Sequence, residues 1–194
     1  MSTIAENIAS VRVRMAEAAR AAGRSPQEIL LCGASKMNDA AACREAISAG
    51  IDCLGENRVQ EMVQKRSEHA YVGAPLHFIG VLQKNKVRQV VGQVDLIHSV
   101  DSMGLLDEID KRAAMNGLTQ NILLEVNIGG EDSKSGFRPE EVESAIKAVL
   151  ARPERHVRIQ GLMAIPPIAE KKGENMPYFL EMRHLFVDST PLLL

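Results

Sequence analysis

ILLCGASKMNDAAACREAISAGIDCLGEN, residues 29–57, contains the pattern that decides the fold. A short apolar run at 29–35 is followed by a helical pattern at 39–50 and by a second apolar run at 51–57. Apolar runs that alternate with helices are typical of parallel strands covered by helices. The first run leads directly into Lys36, an ammonium group whose desolvation is costly unless another group compensates for it.

The same alternation extends in both directions from this stretch. An N-terminal helix is predicted from Thr3, which forms a capping box with Glu6, to a stop near Gly23. After IDCLGEN the helical pattern RVQEMVQKRSEHA occupies 58–70, and four more strand–helix pairs follow: LHFIG and QKNKVRQVVGQ (76–93), LIHSV and SMGLLDEIDKRAAMNG (96–117), NILLEVNI and PEEVESAIKAVLA (121–151), VRIQGLMAI and MPYFLEMRHLF (157–186). The pattern predicts six strands, and no linker divides residues 1–194 into two domains.

Two architectures fit this alternation. A doubly wound sheet usually carries a glycine-rich phosphate loop after its first strand, and neither GxGxxG nor GxxxxGK[ST] occurs here. A (β/α) barrel instead places reactive side chains at the C-terminal ends of many strands, as this sequence does. We therefore predict an α/β fold, a parallel (β/α) TIM-type barrel that is incomplete because six of the usual eight strands are found.

Composition excludes several classes of function. A net charge of −2 and an aromatic content of 3%, with no tryptophan, argue against a nucleic-acid-binding surface. No apolar run reaches membrane-spanning length, and charged residues interrupt the N-terminus where a signal peptide needs an apolar block, so we expect a cytoplasmic protein. The three cysteines form no CxxC pair and predict neither a disulfide framework nor a metal site.

Polar side chains follow several of the predicted strands. At Asp101 or Ser102 the better interpretation is a cap of the next helix, whereas for Asn57 and Asn127 a cap and a binding role are about equally supported. Lys36 differs because Asp39 is the better candidate to cap the following helix. The lysine is therefore left without a local structural task.

Six motifs together resemble the pyridoxal phosphate homeostasis protein family, whose single barrel is related to the N-terminal domain of alanine racemase. They are SK at 35–36, GEN at 55–57, HFIG with LQ.NK at 77–86, IHSVD at 97–101, VNI with SKSGF at 126–137, and GLMAI at 161–165. The match covers nearly the whole chain in order. Two departures are Val81, where the family usually has histidine, and Met37, where it usually has threonine.

The resemblance implies a cofactor and its contacts. Lys36 would carry pyridoxal 5′-phosphate (PLP) as an internal aldimine, and Asn57, Asn127 and Met163 would border the cofactor ring. The resemblance implies no catalytic residue and no metal ligand. His77 is left open between a cofactor contact and a core histidine.

The chemistry of a Schiff base would answer the question raised by Lys36. An amine attacks an aldehyde only in its neutral form, and partial desolvation lowers the pKa of a lysine toward that form. We expect restricted solvent around Lys36, between Ala34 and Ser35 on one side and the barrel mouth on the other. Considered alone, a lysine that extends from a strand end to water is the better interpretation; with the other motifs, the Schiff base is favoured.

Three hypotheses about the function are compatible with these sequence features. The first is a carrier that holds PLP without turnover and hands it to client apoenzymes. The second is a weak PLP-dependent racemase or lyase, but racemisation needs an opposing acid–base group, and the two tyrosines are predicted in a surface turn (Tyr71) and in the last helix (Tyr178). No exposed apolar stripe is expected, so we predict a monomer.

A third hypothesis is a truncated chain that does not retain PLP. In the resembled family two further strands follow, ending in a serine-glycine segment and a glycine-threonine loop that hold the cofactor phosphate. This sequence ends MRHLFVDSTPLLL, at 182–194, without either segment. We therefore expect the first and sixth strands not to pair with each other and the phosphate to be poorly held.

Overall fold

The computed structural model describes residues 3–131, 134–171 and 173–193. The chain divides into two compact units, Met1–Phe78 and Ile79–Leu194. The first unit contains α1 (Ile4–Ala21), β1 (Cys32–Ala34), α2 (Ala40–Ser48), β2 (Cys53–Glu56), α3 (Val59–Ser67) and β3 (Leu76–Phe78). The second contains β4 (Leu96–Val100), α4 (Met103–Met115), β5 (Gln120–Glu125), α5 (Val142–Leu150), β6 (Val157–Met163) and α6 (Met176–Leu193).

Helix α1 begins at the capping box that the sequence predicts. The Thr3 amide donates to Glu6 Oε2 at 2.8 Å, and the Glu6 amide donates to Thr3 Oγ1 at 3.2 Å. Both donors would otherwise lack an intrahelical acceptor, so the box stabilises the first turn. After Ala21 the chain reverses through Gly23, whose φ of +68° is a left-handed conformation that glycine adopts without strain.

The strands of the first unit are parallel and closely registered. Cys32 pairs with Cys53 and Ala34 with Gly55 between β1 and β2, and Gly55 pairs with His77 between β2 and β3. Two paired residues lie on the same face, and side chains alternate along each strand, so Cys32, Cys53 and His77 lie on one face of the sheet. The opposite face carries the fully buried Phe78 and Glu56.

The second unit has the same construction with longer strands. Ile97 pairs with Ile122 between β4 and β5, and Glu125 pairs with Met163 between β5 and β6. In the side chain of Gln120, the first residue of β5, Nε2 donates to Val94 O at 3.1 Å and Oε1 accepts from the Gly92 backbone amide at 2.9 Å. These bonds satisfy a buried polar group and fix the turn that precedes β4.

The predicted helix at 83–93 is wrong in type. This segment forms a short 3₁₀ helix at Lys84–Gln89, followed by a turn. Its buried side chains Val87, Val90 and Val91 are β-branched, and Gly92 follows them directly. Such residues lower α-helix propensity, so packing of the valines determines the conformation here.

The predicted fold class is confirmed. The described residues contain six strands in the order β1-β2-β3-β4-β5-β6. All strand pairs within the two units are parallel, which makes this an α/β fold with six of the eight strands of a (β/α) barrel. The interpretation of residues 1–194 as a single domain stays a prediction.

Helix α6 differs from the expectation that no apolar stripe is exposed. Phe179, Leu180 and Phe186 are 56%, 50% and 45% exposed. Apolar residues occur all around this helix, so packing on one side cannot cover them. No helix in the described part of the chain combines the length and apolar character required to cross a membrane.

Candidate functional site

Lys36 lies two residues beyond the end of β1. The preceding residue, Ser35, is buried, and its amide extends the β1–β2 pairing by donating to Gly55 O at 2.9 Å. Lys36 itself is exposed, as is Met37, which adopts a left-handed φ of +62°. The expectation of restricted solvent around the lysine is therefore wrong in this structure, because the chain leaves the sheet before it reaches Lys36.

Side chains of β2 and α3 hold the residues on both sides of Lys36. Ser35 Oγ donates to Glu56 Oε1 at 2.6 Å, and Lys65 Nζ donates to Ser35 O at 2.7 Å. The Met37 amide donates to Glu61 Oε1 at 2.7 Å. The amine of Lys36 thus extends from a short loop whose backbone is fixed before and after it.

These bonds centre on a buried ion pair. Glu56 is fully buried, and its Oε1 atom accepts from Lys65 Nζ at 2.7 Å and from the Tyr71 hydroxyl at 3.0 Å. Burial raises the pKa of Tyr71, and the negative charge of Glu56 raises it further, so the phenol stays protonated and donates. The prediction of a surface turn for Tyr71 is wrong, because its hydroxyl is a partner of this carboxylate.

Sequence reasoning missed Lys65 as part of this arrangement. Val59, Met62 and Lys65 follow one another at intervals of three in α3, and all three are buried. A lysine on the buried face of a helix is rarely tolerated without a partner. The position of Lys65 on the same helical face as Val59 and Met62 was therefore the sequence signal for a carboxylate partner.

Asn57 follows β2 at the same edge of the sheet as Lys36. The two strands are parallel, and Ala34 pairs with Gly55, so the residues that follow each strand emerge side by side. Asn57 is half-buried, and its Oδ1 atom is buried without a hydrogen-bond partner among the described residues. A buried acceptor in this state is suited to a ligand or a water molecule.

Asn127 and Met163 form the corresponding edge of the second unit. Met163 ends β6, and its carbonyl accepts from the Val126 amide at 2.7 Å, which places Asn127 directly beside this strand end. The Asn127 Nδ2 atom donates to Glu131 O at 2.9 Å and to Lys134 O at 3.2 Å. Asn127 therefore organises the loop after β5 and does not cap a helix.

One acceptor of Asn127 is still available. Its Oδ1 atom is buried and has no hydrogen-bond partner in the described part of the chain. Within the SKSGF motif, Ser133 lies outside the described residues. The backbone of Phe137, the last residue of the motif, binds the chain at the end of β5: its amide donates to Glu125 O at 2.8 Å, and its carbonyl accepts from the Asn127 amide at 2.9 Å.

The structure also shows which residues cap α2 and α4. Ser102 is the N-cap of α4, with its hydroxyl accepting from the Leu105 amide, and Asp39 is the N-cap of α2, accepting from the Ala42 amide at 2.8 Å. Because Asp39 performs this task, Lys36 has no capping role. Its Nζ atom makes no hydrogen bond or ion pair that involves a described residue.

Comparison with known proteins places this architecture in a family. Residues 3–190 match the family model of the alanine racemase N-terminal domain. The chain is 42% identical over 189 residues to the pyridoxal phosphate homeostasis protein of Pseudomonas aeruginosa, and 41% identical over 180 residues to that of Aquifex aeolicus. This chain belongs to the pyridoxal phosphate homeostasis protein family. Within that family it covers 81% and 78% of the length of these two relatives, and the alignments cover 97% and 93% of this chain.

A solved structure gives a structural counterpart. PipY from Synechococcus elongatus, solved with PLP bound, is 31% identical to this chain and superposes with a TM-score of 0.80. The superposition covers 98% of this chain and 84% of PipY. The similarity therefore extends over nearly the whole chain.

Proposed function

We propose that this chain binds pyridoxal 5′-phosphate through Lys36 and holds it for intracellular PLP homeostasis without turnover. The observation that carries the proposal is an exposed primary amine on a backbone loop that a buried ion pair fixes in place. The names of the curated relatives and the bound PLP in PipY support the same cofactor. When bound, the cofactor supplies an aldehyde that condenses with a primary amine.

The side chains proposed for the site are suited to bind PLP. Lys36 would form the covalent attachment, while Asn57, Asn127 and Met163 would border the ring. The two asparagines each offer a buried Oδ1 acceptor that is unpaired among the described residues, and Met163 offers a half-buried, polarisable side chain. Glu56 and Lys65 would not touch the cofactor, because Glu56 accepts from the Ser35 hydroxyl and Lys65 donates to the Ser35 carbonyl, which holds the loop of the amine in position.

A carrier without turnover is favoured over a racemase. Racemisation needs an acid–base group opposite the lysine, and the hydroxyl of Tyr71 is already committed to Glu56. Tyr178 belongs to α6, and its hydroxyl makes no hydrogen bond with a described residue. The curated relatives are named homeostasis proteins and not racemases, which supports the same choice.

The test is the position of a reduced adduct. The purified protein is loaded with PLP, its absorbance spectrum is recorded before and after borohydride reduction, and the modified lysine is mapped by mass spectrometry. We expect one adduct, on Lys36, and its loss in Lys36→Ala but not in the control Lys134→Ala. An adduct on Lys84 or Lys134, or on several lysines equally, would indicate adventitious aldehyde chemistry and contradict the proposal.

Turnover is tested separately with the same preparation. The PLP-loaded protein is incubated with L-alanine or D-alanine, and the ratio of enantiomers is followed over time. We expect at most a change in the absorbance spectrum, with no sustained formation of the other enantiomer. Steady racemisation that disappears in Lys36→Ala would establish an enzyme and overturn the carrier.

A further inference from the structure

Three potential metal ligands meet on the sheet of the first unit. Cys32 of β1, Cys53 of β2 and His77 of β3 place their ligand atoms, two Sγ atoms and one ring nitrogen, within 4.8 Å of one another. The strand register brings them together. Cys32 pairs directly with Cys53, and His77 pairs with Gly55, two residues further along β2 and therefore on the same face as Cys53.

This cluster is separate from the ion pair that supports Lys36. Glu56 follows Gly55 directly in β2, so its side chain projects from the opposite face of the sheet. Cys53 is buried, while Cys32 and His77 are half-buried, so the cluster is shielded on one side and accessible on the other. His77, which the sequence left open between a cofactor contact and a core histidine, belongs to this cluster, and none of the three side chains is among the residues proposed to bind PLP.

The two thiols are already coupled to each other and to the imidazole. A hydrogen bond with Cys53 lowers the pKa of Cys32, whereas the same bond, together with burial, raises the pKa of Cys53. A hydrogen bond with His77 partly opposes that increase. A positive charge placed between the sulfur atoms would favour the thiolate form of both.

We propose that Cys32, Cys53 and His77 form a binding site for a thiophilic divalent metal ion, Zn²⁺, with a fourth position open to water or another small ligand. A Cys₂His donor set with one open position is a known coordination type for zinc. With metal–sulfur bonds of about 2.3 Å and a metal–nitrogen bond of about 2.0–2.1 Å, ligand atoms around a tetrahedral ion lie roughly 3.5–4 Å apart. Separations within 4.8 Å require a small inward movement of the side chains and no change of strand register.

Charge balance supports the same ion. Two thiolates and a neutral imidazole bring a charge of −2 to the site and neutralise a divalent cation in a half-buried location. Binding releases the two thiol protons to solvent, so affinity falls as pH decreases. The sequence did not predict this site because Cys32 and Cys53 are 21 residues apart and His77 another 24, a spacing unlike that of a zinc motif.

The first experiment uses Co²⁺ as a spectroscopic substitute for Zn²⁺. The reduced, chelator-treated protein, without PLP, is titrated with Co²⁺ while absorbance is recorded. We expect one equivalent to produce a thiolate-to-cobalt charge-transfer band and visible bands of tetrahedral intensity, and Zn²⁺ to remove both. Binding without a charge-transfer band would overturn the proposal.

Variants assign the ligands, with the third cysteine as a matched control. Cys32→Ser, Cys53→Ser and His77→Gln should each weaken binding by more than the roughly 10–100-fold that follows loss of an outer-shell partner. Cys43→Ser should leave the affinity unchanged, because Cys43 is a buried thiol on α2, outside the cluster. Equal affinities in Cys53→Ser and Cys43→Ser would contradict the assignment.

A measurement on the unaltered chain covers the case in which a variant does not fold. Alkylation of the three cysteines is followed by mass spectrometry with and without one equivalent of Zn²⁺. Protection of Cys32 and Cys53, with an unchanged rate at Cys43, is expected. Protection of no cysteine, or of all three equally, would reject the site, and neither result bears on whether PLP binds to Lys36.

Discussion

The loop after β1 and the loop after β5 carry comparable predicted site residues, but they are held by different kinds of interaction. The first is fixed by the buried pair of Glu56 and Lys65, which lies outside the loop and acts on Ser35. The second is fixed from within, by the side chain of Asn127, the backbone of Phe137 and the conformation of Gly136. We expect the stability around the first loop to depend on charge, and the stability around the second loop to depend on backbone geometry.

The largest effect is expected from removing one member of the buried pair. Glu56→Ala removes the close, fully buried counter-ion of the Lys65 ammonium and leaves only Glu61 Oε1, at 3.7 Å, so it should decrease the free energy of unfolding by about 3–5 kcal/mol. Urea denaturation followed by circular dichroism measures this change. The control is Glu143→Ala, which breaks an exposed pair with Lys147 and should cost less than about 1 kcal/mol.

A double substitution sharpens the same prediction. Replacing Glu56 and Lys65 together by methionine removes both charges at similar volume and should recover part of the loss, because no unpaired charge is left while the Tyr71 hydroxyl and the Ser35 carbonyl lose their partners. A double variant as unstable as Glu56→Ala would mean that the pair is needed for more than charge compensation.

In the second loop the largest effect is expected from Gly136→Ala. Gly136 has a φ of +121°, and an added Cβ atom would lie 2.6 Å from the Asn127 amide nitrogen, which belongs to the backbone and cannot easily move. Strain and overpacking together should cost roughly 2–4 kcal/mol. Thermal or urea unfolding of the variant tests this value.

Gly130→Ala is the matched control for Gly136→Ala. Its φ of +62° is also left-handed, but an added Cβ atom would meet no described atom within 4 Å. The expected cost is therefore conformational alone, about 1–2 kcal/mol. Equal losses in the two variants would show that the close backbone approach is unimportant.

An intermediate effect is expected at Tyr71, whose phenol donates to the buried pair behind the first loop. Tyr71→Phe removes one donor to the buried carboxylate of Glu56 while the ring stays in place, and should cost about 1.5–3 kcal/mol. Tyr178→Phe in α6 serves as the control and should change stability by less than about 0.5 kcal/mol. If the two variants unfold at the same urea concentration, the phenol is not an essential part of the network.

Asn127→Ala should have a smaller effect than Tyr71→Phe. It removes two hydrogen bonds to neutral carbonyl groups, those of Glu131 and Lys134, and each contributes about 0.5–1.5 kcal/mol. Hydrogen exchange should also accelerate at the amides of residues 134–137. Unchanged exchange there would contradict a role of Asn127 in organising the loop.

The smallest effect concerns Glu125, the last residue of β5. Burial raises its pKa, and the negative charge of Asp101 raises it further. A carboxyl group with a raised folded-state pKa contributes stability below its unfolded pKa and loses that contribution as pH rises through the folded value. Glu125→Gln should therefore stabilise the protein at neutral pH, by less than about 1 kcal/mol, and not at acidic pH. A gain that is larger at low pH would reverse the assigned direction.

The sequence by itself determined the order of strands and helices and the ends of several helices. These features depend on the periodicity of apolar residues and on hydrogen bonds between residues three or four apart, such as those of Thr3 with Glu6. Sequence motifs also led to the correct family and to Lys36, Asn57, Asn127 and Met163 as candidate site residues. The type of the segment at Lys84–Gln89 was not predicted, because buried valines decide it.

Only the tertiary structure decided how residues far apart in the chain meet. Glu56 combines with Lys65 and Tyr71, and Cys32 with Cys53 and His77, because each set depends on strand register and on how a helix packs. A shift of one residue in register would turn a side chain to the opposite face of the sheet. Composition and spacing carry no information about such a shift, whereas the combined packing of strands and helices permits a single register.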